Sequence, residues 1–104
     1  MKIDVLTVSG CPHRPLAVTR LLDAIERSGV EASVVERVID DPEVAATLGM
    51  AGSPTILVDG RDPFGSGAAA PSVSCRLYRS ETGVEGAPSL NALIEALTTA
   101  PATP

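Results

Sequence analysis

The junction between the first apolar run and the first helical pattern constrains the fold of this chain more than any other feature. Residues 2–8 are apolar or β-branched at nearly every position, which is typical of a central strand covered on both faces. After a short loop, apolar residues recur at the spacing of one helix face, at Val18, Leu21, Leu22 and Ile25. The sequence therefore predicts a strand, a loop and a helix, with Gly29 as the helix stop.

The loop at this junction reads Gly10-Cys11-Pro12-His13-Arg14-Pro15. It places the thiol of Cys11 at the start of a helix, where unpaired backbone N–H groups and the helix dipole favour an anion. A thiolate is an anion, so a nucleophilic cysteine is expected at this position. A free cysteine is also often a small buried hydrophobe. The glycine before Cys11 and the prolines after it favour a shaped loop, and we expect Cys11 to be a nucleophile.

The remaining patterns predict one α/β domain with the order β-α-β-α-β-β-α. We read strands at residues 31–39, 55–58 and 75–78, and helices at residues 43–48 and from Ser89 onward. A β-α-β unit makes the first two strands parallel, and we expect the last two to form a hairpin across residues 61–74. The result is a four-stranded mixed sheet with helices on both faces. Residues 1–98 form this domain, and residues 99–104 are expected to be a disordered tail.

Composition narrows the classes of function. The net charge of −5 and the aromatic content of 2% leave no basic groove and few rings for stacking, so we expect no nucleic-acid partner. No apolar run approaches the roughly 18 residues that span a bilayer, and we expect no membrane partner and a cytoplasmic location. Two cysteines do not make the disulfide framework of a small secreted domain. Cys11, His13 and Cys75 are too few for a four-ligand zinc site, so no metal site is expected.

A second motif, Ser53-Pro54-Thr55, opens the third predicted strand. With Cys11 at the first strand-to-helix junction and the element order, it resembles the thioredoxin-like superfamily over residues 1–98. The chain is most similar to small bacterial members with a G-C-P motif, a G-S-P-T-I-L-V-D-G segment and a late S-C-R-x-Y motif, a group sometimes labelled as related to alkylmercury lyases. Here these motifs are residues 10–12, 52–60 and 74–78. The resemblance implies that Pro54 is a cis-proline packed against Cys11, and that the neighbouring backbone binds substrate in an extended pose.

One position departs from the pattern of that family. Its redox motif is C-x-x-C, and here the fourth position is Arg14. Cys11 could act as a monothiol that forms a mixed disulfide with a low-molecular-weight thiol, or Cys75 could be a distant resolving cysteine. In a hairpin the fourth strand begins far from Cys11, although the long loop before it has the reach to fold back. Both mechanisms, and a plain strand role for Cys75, therefore stay open.

The expected catalytic residues are Cys11 and Cys75, and the expected substrate-binding residues are Pro12, His13, Arg14, Ser53, Pro54 and Thr55. His13 could relay a proton or be a solvated residue of the first helical turn. Arg14 could hold a carboxylate of a thiol such as glutathione or mycothiol, or be a surface charge.

The leading expectation is a thiol–disulfide oxidoreductase that acts on a protein or small-molecule disulfide and has no resident cofactor. One alternative is a protein that binds a soft ion, Hg(II) or Cu(I), through Cys11 and Cys75. Another is a non-catalytic thioredoxin-like binding module, because a fold does not fix a function.

Overall fold

A computed structural model describes residues 1–64, 72–80 and 83–99 of the chain. These residues form an α/β domain with three helices, as the sequence predicts. In chain order the elements are β1 (Lys2–Thr7), α1 (Arg14–Ser28), β2 (Ser33–Val38), α2 (Pro42–Leu48), β3 (Ala51–Ser53), β4 (Thr55–Val58), β5 (Ser72–Cys75), β6 (Tyr78–Ser80), β7 (Gly83–Glu85) and α3 (Leu90–Thr99).

Strand β1 lies at the centre of a mixed sheet with the order β2-β1-β4. Strand β2 runs parallel to β1, and β4 runs antiparallel to it, with Leu6 opposite Thr55. All residues of β1 except Lys2 are buried, which confirms the central strand read from the sequence. The parallel β1-α1-β2 unit and the bounds of β4 are confirmed as well.

Two apolar clusters form on opposite faces of β1, because successive side chains of a strand point to opposite sides. On one face, Ile3 and Val5 pack with residues of α1, β4 and α3, namely Leu21, Ala24, Ile56, Val58, Leu93 and Leu97. On the other face, Leu6 packs with Ile39, Ala45, Met50 and Leu57. Helices α1 and α3 therefore cover one face and α2 the other, so the expected two-sided cover is confirmed.

Local helix signals are also confirmed. Asp41 caps α2 by accepting a hydrogen bond of 2.8 Å from the backbone N–H of Glu43, and Pro42 is its first residue. Gly29 ends α1 with a φ of 73°, a left-handed conformation that glycine adopts without strain. The buried face of α1 is made by Ala17, Leu21 and Ala24, whereas Leu22 is 52% exposed. The apolar stripe of α1 is therefore rotated away from Leu22.

The chain after β4 differs from the predicted hairpin. Instead of one strand at residues 75–78, β5 ends at Cys75 and β6 begins at Tyr78. Strand β5 pairs in parallel with β3, a segment predicted as loop, and β6 pairs antiparallel with β7. The four-stranded sheet is not confirmed, since the main sheet has three strands within the described ranges. These strands have only three or four residues, too few for an alternation of apolar and polar residues to identify them from the sequence.

Two further boundaries need correction or lie outside the described ranges. Part of the predicted loop 61–74 is strand β5, and residues 65–71 are not among the described residues. Helix α3 ends at Thr99, and residues 100–104, in which a tail is expected, are not among the described residues. No helix in the described part of the chain is long and apolar enough to cross a bilayer.

Candidate functional site

Cys11 lies in the loop between the end of β1 and the start of α1. Helix α1 begins at Arg14 with His13 as its N-cap, so Cys11 precedes the cap by two residues. The backbone N–H of Cys11 donates to the carbonyl oxygen of Val8 at 3.2 Å, and the carbonyl of Cys11 accepts from Arg14 at 3.3 Å. Gly10 supplies a φ of 67° to this turn, and Cys11 itself is buried, with 7% exposure. The thiol is therefore held in a tight turn against the body of the domain.

Two hydrogen-bond anchors fix the start of this loop. The backbone N–H of Val8 donates to Oγ of Ser53 at 3.0 Å, and Ser53 is fully buried. One residue later, the backbone N–H and the hydroxyl of Ser9 both donate to the carboxylate of Asp40. The bond from the Ser9 hydroxyl, followed by the bond from its backbone N–H, lowers the pKa of Asp40. The start of the loop is thus bound to Ser53 of β3 and to Asp40, which follows β2.

The side chains of His13 and Arg14, both predicted to bind substrate, contact residues that are distant along the chain. The half-buried imidazole of His13 packs so closely on Gly86 that a Cβ at that position would overlap the ring. Arg14 forms an ion pair of 2.7 Å with Glu36 of β2, and both side chains are more than one-third exposed. Pro12 is exposed beside them. Neither partner, Gly86 or Glu36, was foreseen from the sequence, because both are distant along the chain.

An arginine of α1 fixes the segment that contacts His13. The guanidinium of Arg20 donates two hydrogen bonds to the carboxylate of Glu85, at 2.7 and 3.2 Å, and one to the carbonyl of Pro88 at 3.2 Å. The hydrogen bond from Arg20 lowers the pKa of Glu85. Gly86 lies between Glu85 and Pro88. Helix α1 therefore carries both His13, its N-cap, and Arg20, which holds the segment on which His13 packs.

Ser53, Pro54 and Thr55 form the wall next to the Cys11 loop. The Ser53–Pro54 peptide bond is cis, as the resemblance implies. Thr55 is paired with Leu6, near the end of β1 from which the Cys11 loop emerges. The hydroxyl of Thr55 accepts from the backbone N–H of Ala51 at 3.1 Å and donates to the carbonyl of Gly52. The buried hydroxyl of Thr55 therefore closes the turn that contains Pro54.

A cluster behind Pro54 was missed by the sequence analysis. The hydroxyl of Tyr78 donates to the carbonyl oxygen of Pro54, and burial of Tyr78 raises the pKa of its phenol. The guanidinium of Arg76 lies 4.5 Å from the centre of the Tyr78 ring and pairs with the carboxylate of Asp62. Phe64 meets the same ring edge-on at 5.6 Å between centroids. The S-C-R-x-Y motif contains Arg76 and Tyr78, so this motif was the part of the sequence that could have indicated the cluster.

Cys75, the last residue of β5, is exposed and lies next to this wall. It is the register partner of Ser53 in the parallel pair of β3 and β5, and the backbone N–H of Arg76 donates to the carbonyl of Ser53 at 2.9 Å. Cys75 therefore ends a strand that is parallel to β3 and does not lie in the predicted hairpin with residues 55–58. Both cysteines are free thiols.

No protein-family model, curated protein or solved structure matches this chain. In the described ranges, no three or more His, Cys, Asp or Glu side chains are grouped so that they could hold a metal ion. What the arrangement offers chemically is a buried thiol in an anchored loop before a helix, and a second, exposed thiol on a strand next to the anchor of that loop.

Proposed function

We propose that this protein carries out thiol–disulfide exchange with Cys11 as the nucleophile. The observation that carries the proposal is the hydrogen bond between the Val8 N–H and Ser53 Oγ, which holds the Cys11 loop against the strand that leads into Pro54. A nucleophile needs a fixed position beside a surface on which the substrate can lie. The Cys11 turn supplies the first, and the backbone around Pro54 supplies the second.

The proposal includes a thioredoxin-like frame. Its support is the parallel β1-α1-β2 unit, the antiparallel β4 beside β1, and the packing of α3 next to α1 on one face of the sheet. Cys11 stands between β1 and α1, and Pro54 directly precedes β4. The four-stranded form of that frame belongs to this proposal, with a reducing compartment such as the cytoplasm as its setting.

In the proposed exchange, the Cys11 thiolate attacks one sulfur of a disulfide RS–SR. The Cys11–SR bond forms, the RS–SR bond breaks, and the leaving thiolate takes up the proton that Cys11 lost. The N-terminus of α1 follows the loop and stabilises negative charge on the attacking and leaving sulfurs. Substrates of this class include protein disulfides and low-molecular-weight thiols such as glutathione or mycothiol.

Arg14 would contribute to the binding of a substrate carboxylate. Its partner Glu36 is a surface carboxylate, and such exposed ion pairs add little to stability. A ligand carboxylate can therefore replace Glu36 on the guanidinium without a large penalty. His13, fixed on Gly86 as the cap of α1, would shape the same rim of the site.

A second candidate, binding of a soft ion such as Hg(II) or Cu(I), is favoured by the placement of Cys75 opposite Ser53. Two thiolates suit the two-coordinate binding of soft ions. Because this form needs both sulfurs, Cys75→Ser should abolish tight Hg(II) binding. Undiminished Hg(II) binding by that variant would reject the two-thiolate site.

The exchange itself is tested with the Cys75→Ser variant, in which Cys11 is the only thiol. The folded variant is incubated with glutathione disulfide and analysed by intact mass and peptide mapping. We expect one glutathione per chain, attached to Cys11 and removed again by reduced glutathione. Cys11 that stays unmodified in the folded variant, but reacts after unfolding in denaturant, would overturn the proposal and leave a binding module as the better description.

A further inference from the structure

We propose that Cys75 is the resolving thiol, which converts a mixed disulfide on Cys11 into an internal Cys11–Cys75 disulfide. This inference rests on the proposed exchange at Cys11. In this proposal a thiol from another strand takes the role of the second cysteine of a C-x-x-C motif, which this chain lacks. The reasons are the register of β5, the direction of its side chains and the way its ends are held.

The register of β5 brings Cys75 to the segment that anchors the Cys11 loop. Cys75 is paired with Ser53, and paired strands lie about 4.8 Å apart. Oγ of Ser53 lies 3.0 Å from the backbone nitrogen of Val8, whose carbonyl accepts the N–H of Cys11 at 3.2 Å. One residue, Ser53, therefore contacts both cysteine-bearing segments.

The direction of the side chains places Cys75 on the side of β3 that faces the start of the Cys11 loop. Arg76 projects toward the Cβ side of Gly52, because a Cβ built there would lie 2.7 Å from Cβ of Arg76. Successive side chains of an extended chain alternate, so Cys75 projects to the opposite side from Arg76. That is the side of the Ser53 hydroxyl, which faces Val8 and the start of the Cys11 loop.

Strand β5 is held at both of its ends, so the backbone at Cys75 has a fixed position next to Ser53. The backbone N–H of Ser72 donates to Met50 and that of Arg76 donates to Ser53, each at 2.9 Å. The ion pair between Arg76 and Asp62, in which both side chains are nearly buried, fixes the residue directly after Cys75. Cys75 itself remains exposed and free to react.

The chemistry of the second step is balanced with a low-molecular-weight disulfide as the oxidant. After Cys11 has formed Cys11–SR, the Cys75 thiolate attacks the sulfur of Cys11. The Cys11–Cys75 bond forms, the Cys11–SR bond breaks, and the leaving RS⁻ takes the proton that Cys75 lost. In total the protein dithiol is oxidised by two electrons, and one RS–SR is reduced to two RSH.

The test uses glutathione disulfide with three forms of the full chain: the natural sequence, Cys75→Ser, and the double variant Ser74→Cys/Cys75→Ser. The double variant is the matched control, because it moves the thiol by one residue to the other side of β5. Intact mass distinguishes a glutathione adduct from the loss of two hydrogen atoms, and peptide mapping identifies the bond.

We expect the natural chain to lose two hydrogen atoms through a Cys11–Cys75 bond and to release two glutathione molecules, whereas both variants retain glutathione on Cys11. A persistent mixed disulfide in the natural chain overturns the resolving role and leaves the exchange at Cys11 intact. An internal disulfide in the double variant also overturns it, since the side-chain direction would then be irrelevant. Absence of any reaction at folded Cys11 in all three forms removes the underlying exchange as well.

Discussion

Ser53 and Cys75 stand opposite each other in the parallel pair of β3 and β5. The side chain of Ser53 binds the residue that begins the Cys11 loop, and its carbonyl binds the residue after Cys75. The same residue forms the cis peptide bond with Pro54. A fully buried serine thus joins the two cysteine-bearing segments, and its removal should disturb both.

Ser53→Ala should destabilise the domain. It removes the acceptor of the Val8 N–H in a part-buried position, and an unpaired polar group of this kind costs about 1–2 kcal/mol. Chemical unfolding measures the change. Ser74→Ala is the matched control, because it makes the same substitution at an exposed position of the neighbouring strand. Equal stabilities of the two variants would contradict an anchoring role for Ser53.

Gly52→Ala should be more harmful than Gly60→Ala, although both glycines have a positive φ. A Cβ at Gly52 would lie 2.7 Å from Cβ of Arg76 and 3.1 Å from the carbonyl oxygen of Ser74, whereas a Cβ at Gly60 meets nothing within 4 Å. Gly60→Ala pays only for backbone strain, about 1 kcal/mol, and Gly52→Ala should lose about 3 kcal/mol or more in unfolding experiments. Similar losses would argue against the close approach of β5 to β3.

Tyr78→Phe should lower stability by about 1 kcal/mol, because the buried carbonyl of Pro54 loses its donor while the ring contacts are kept. The variant should also alter the dependence of stability on pH. Burial raises the pKa of Tyr78, so the folded protein keeps the phenol protonated when the unfolded chain releases its proton. The stabilisation is therefore complete below pH about 10, the ordinary tyrosine pKa, and is lost as the pH rises above it.

Tyr78 is the single tyrosine of the chain, so its titration can be followed directly by tyrosinate absorbance. In the folded protein the midpoint should lie above that of the chain in denaturant. The additional loss of stability at alkaline pH should be absent from Tyr78→Phe. Identical midpoints in the folded and unfolded protein would show that the phenol is not buried against Pro54.

Ser9→Ala should raise the pKa of Asp40 toward its ordinary value of 3.8, because the hydroxyl of Ser9 is the largest cause of the lowering. A carboxyl group whose pKa is lowered by folding stabilises the fold above its unfolded pKa, and this contribution is lost as the pH falls through the folded value. NMR titration of the Asp40 carboxyl in both proteins measures the shift. An unchanged midpoint in Ser9→Ala would mean that the hydrogen bond from the Ser9 hydroxyl to Asp40 does not form.

The elements that local patterns determine were predictable. The apolar run of β1, the Asp41-Pro42 start of α2 and the bounds of β4 all follow from signals within a few residues. Strands β3 and β5 are too short to give such a signal, since β3 has three residues and β5 has four. Their pairing joins segments that are distant along the chain, through hydrogen bonds such as that from the Arg76 N–H to the carbonyl of Ser53.

The same distinction applies to the candidate site. The position of Cys11 before a helix and the cis bond at Pro54 followed from a motif and a resemblance. The partners of the loop, Asp40 for Ser9 and Glu36 for Arg14, are side-chain pairs that only the folded chain brings together. The strand pairing at Cys75 differs from the sequence reading, because an antiparallel hairpin was expected and β5 pairs in parallel with β3.

The most direct test of the central claim compares the reactivity of the two cysteines in the natural, reduced protein. The folded chain is treated with a limiting amount of iodoacetamide, a neutral alkylating reagent, and peptide mapping gives the fraction modified at Cys11 and at Cys75. The same treatment in denaturant corrects for differences between the two peptides.

Exposure alone predicts that Cys75, which is exposed, reacts before Cys11, which is 7% exposed. If Cys11 is the nucleophile at the start of α1, it should instead react about tenfold faster than Cys75 in the folded protein, and this preference should vanish in denaturant. Faster alkylation of Cys75 in the folded protein would contradict the account.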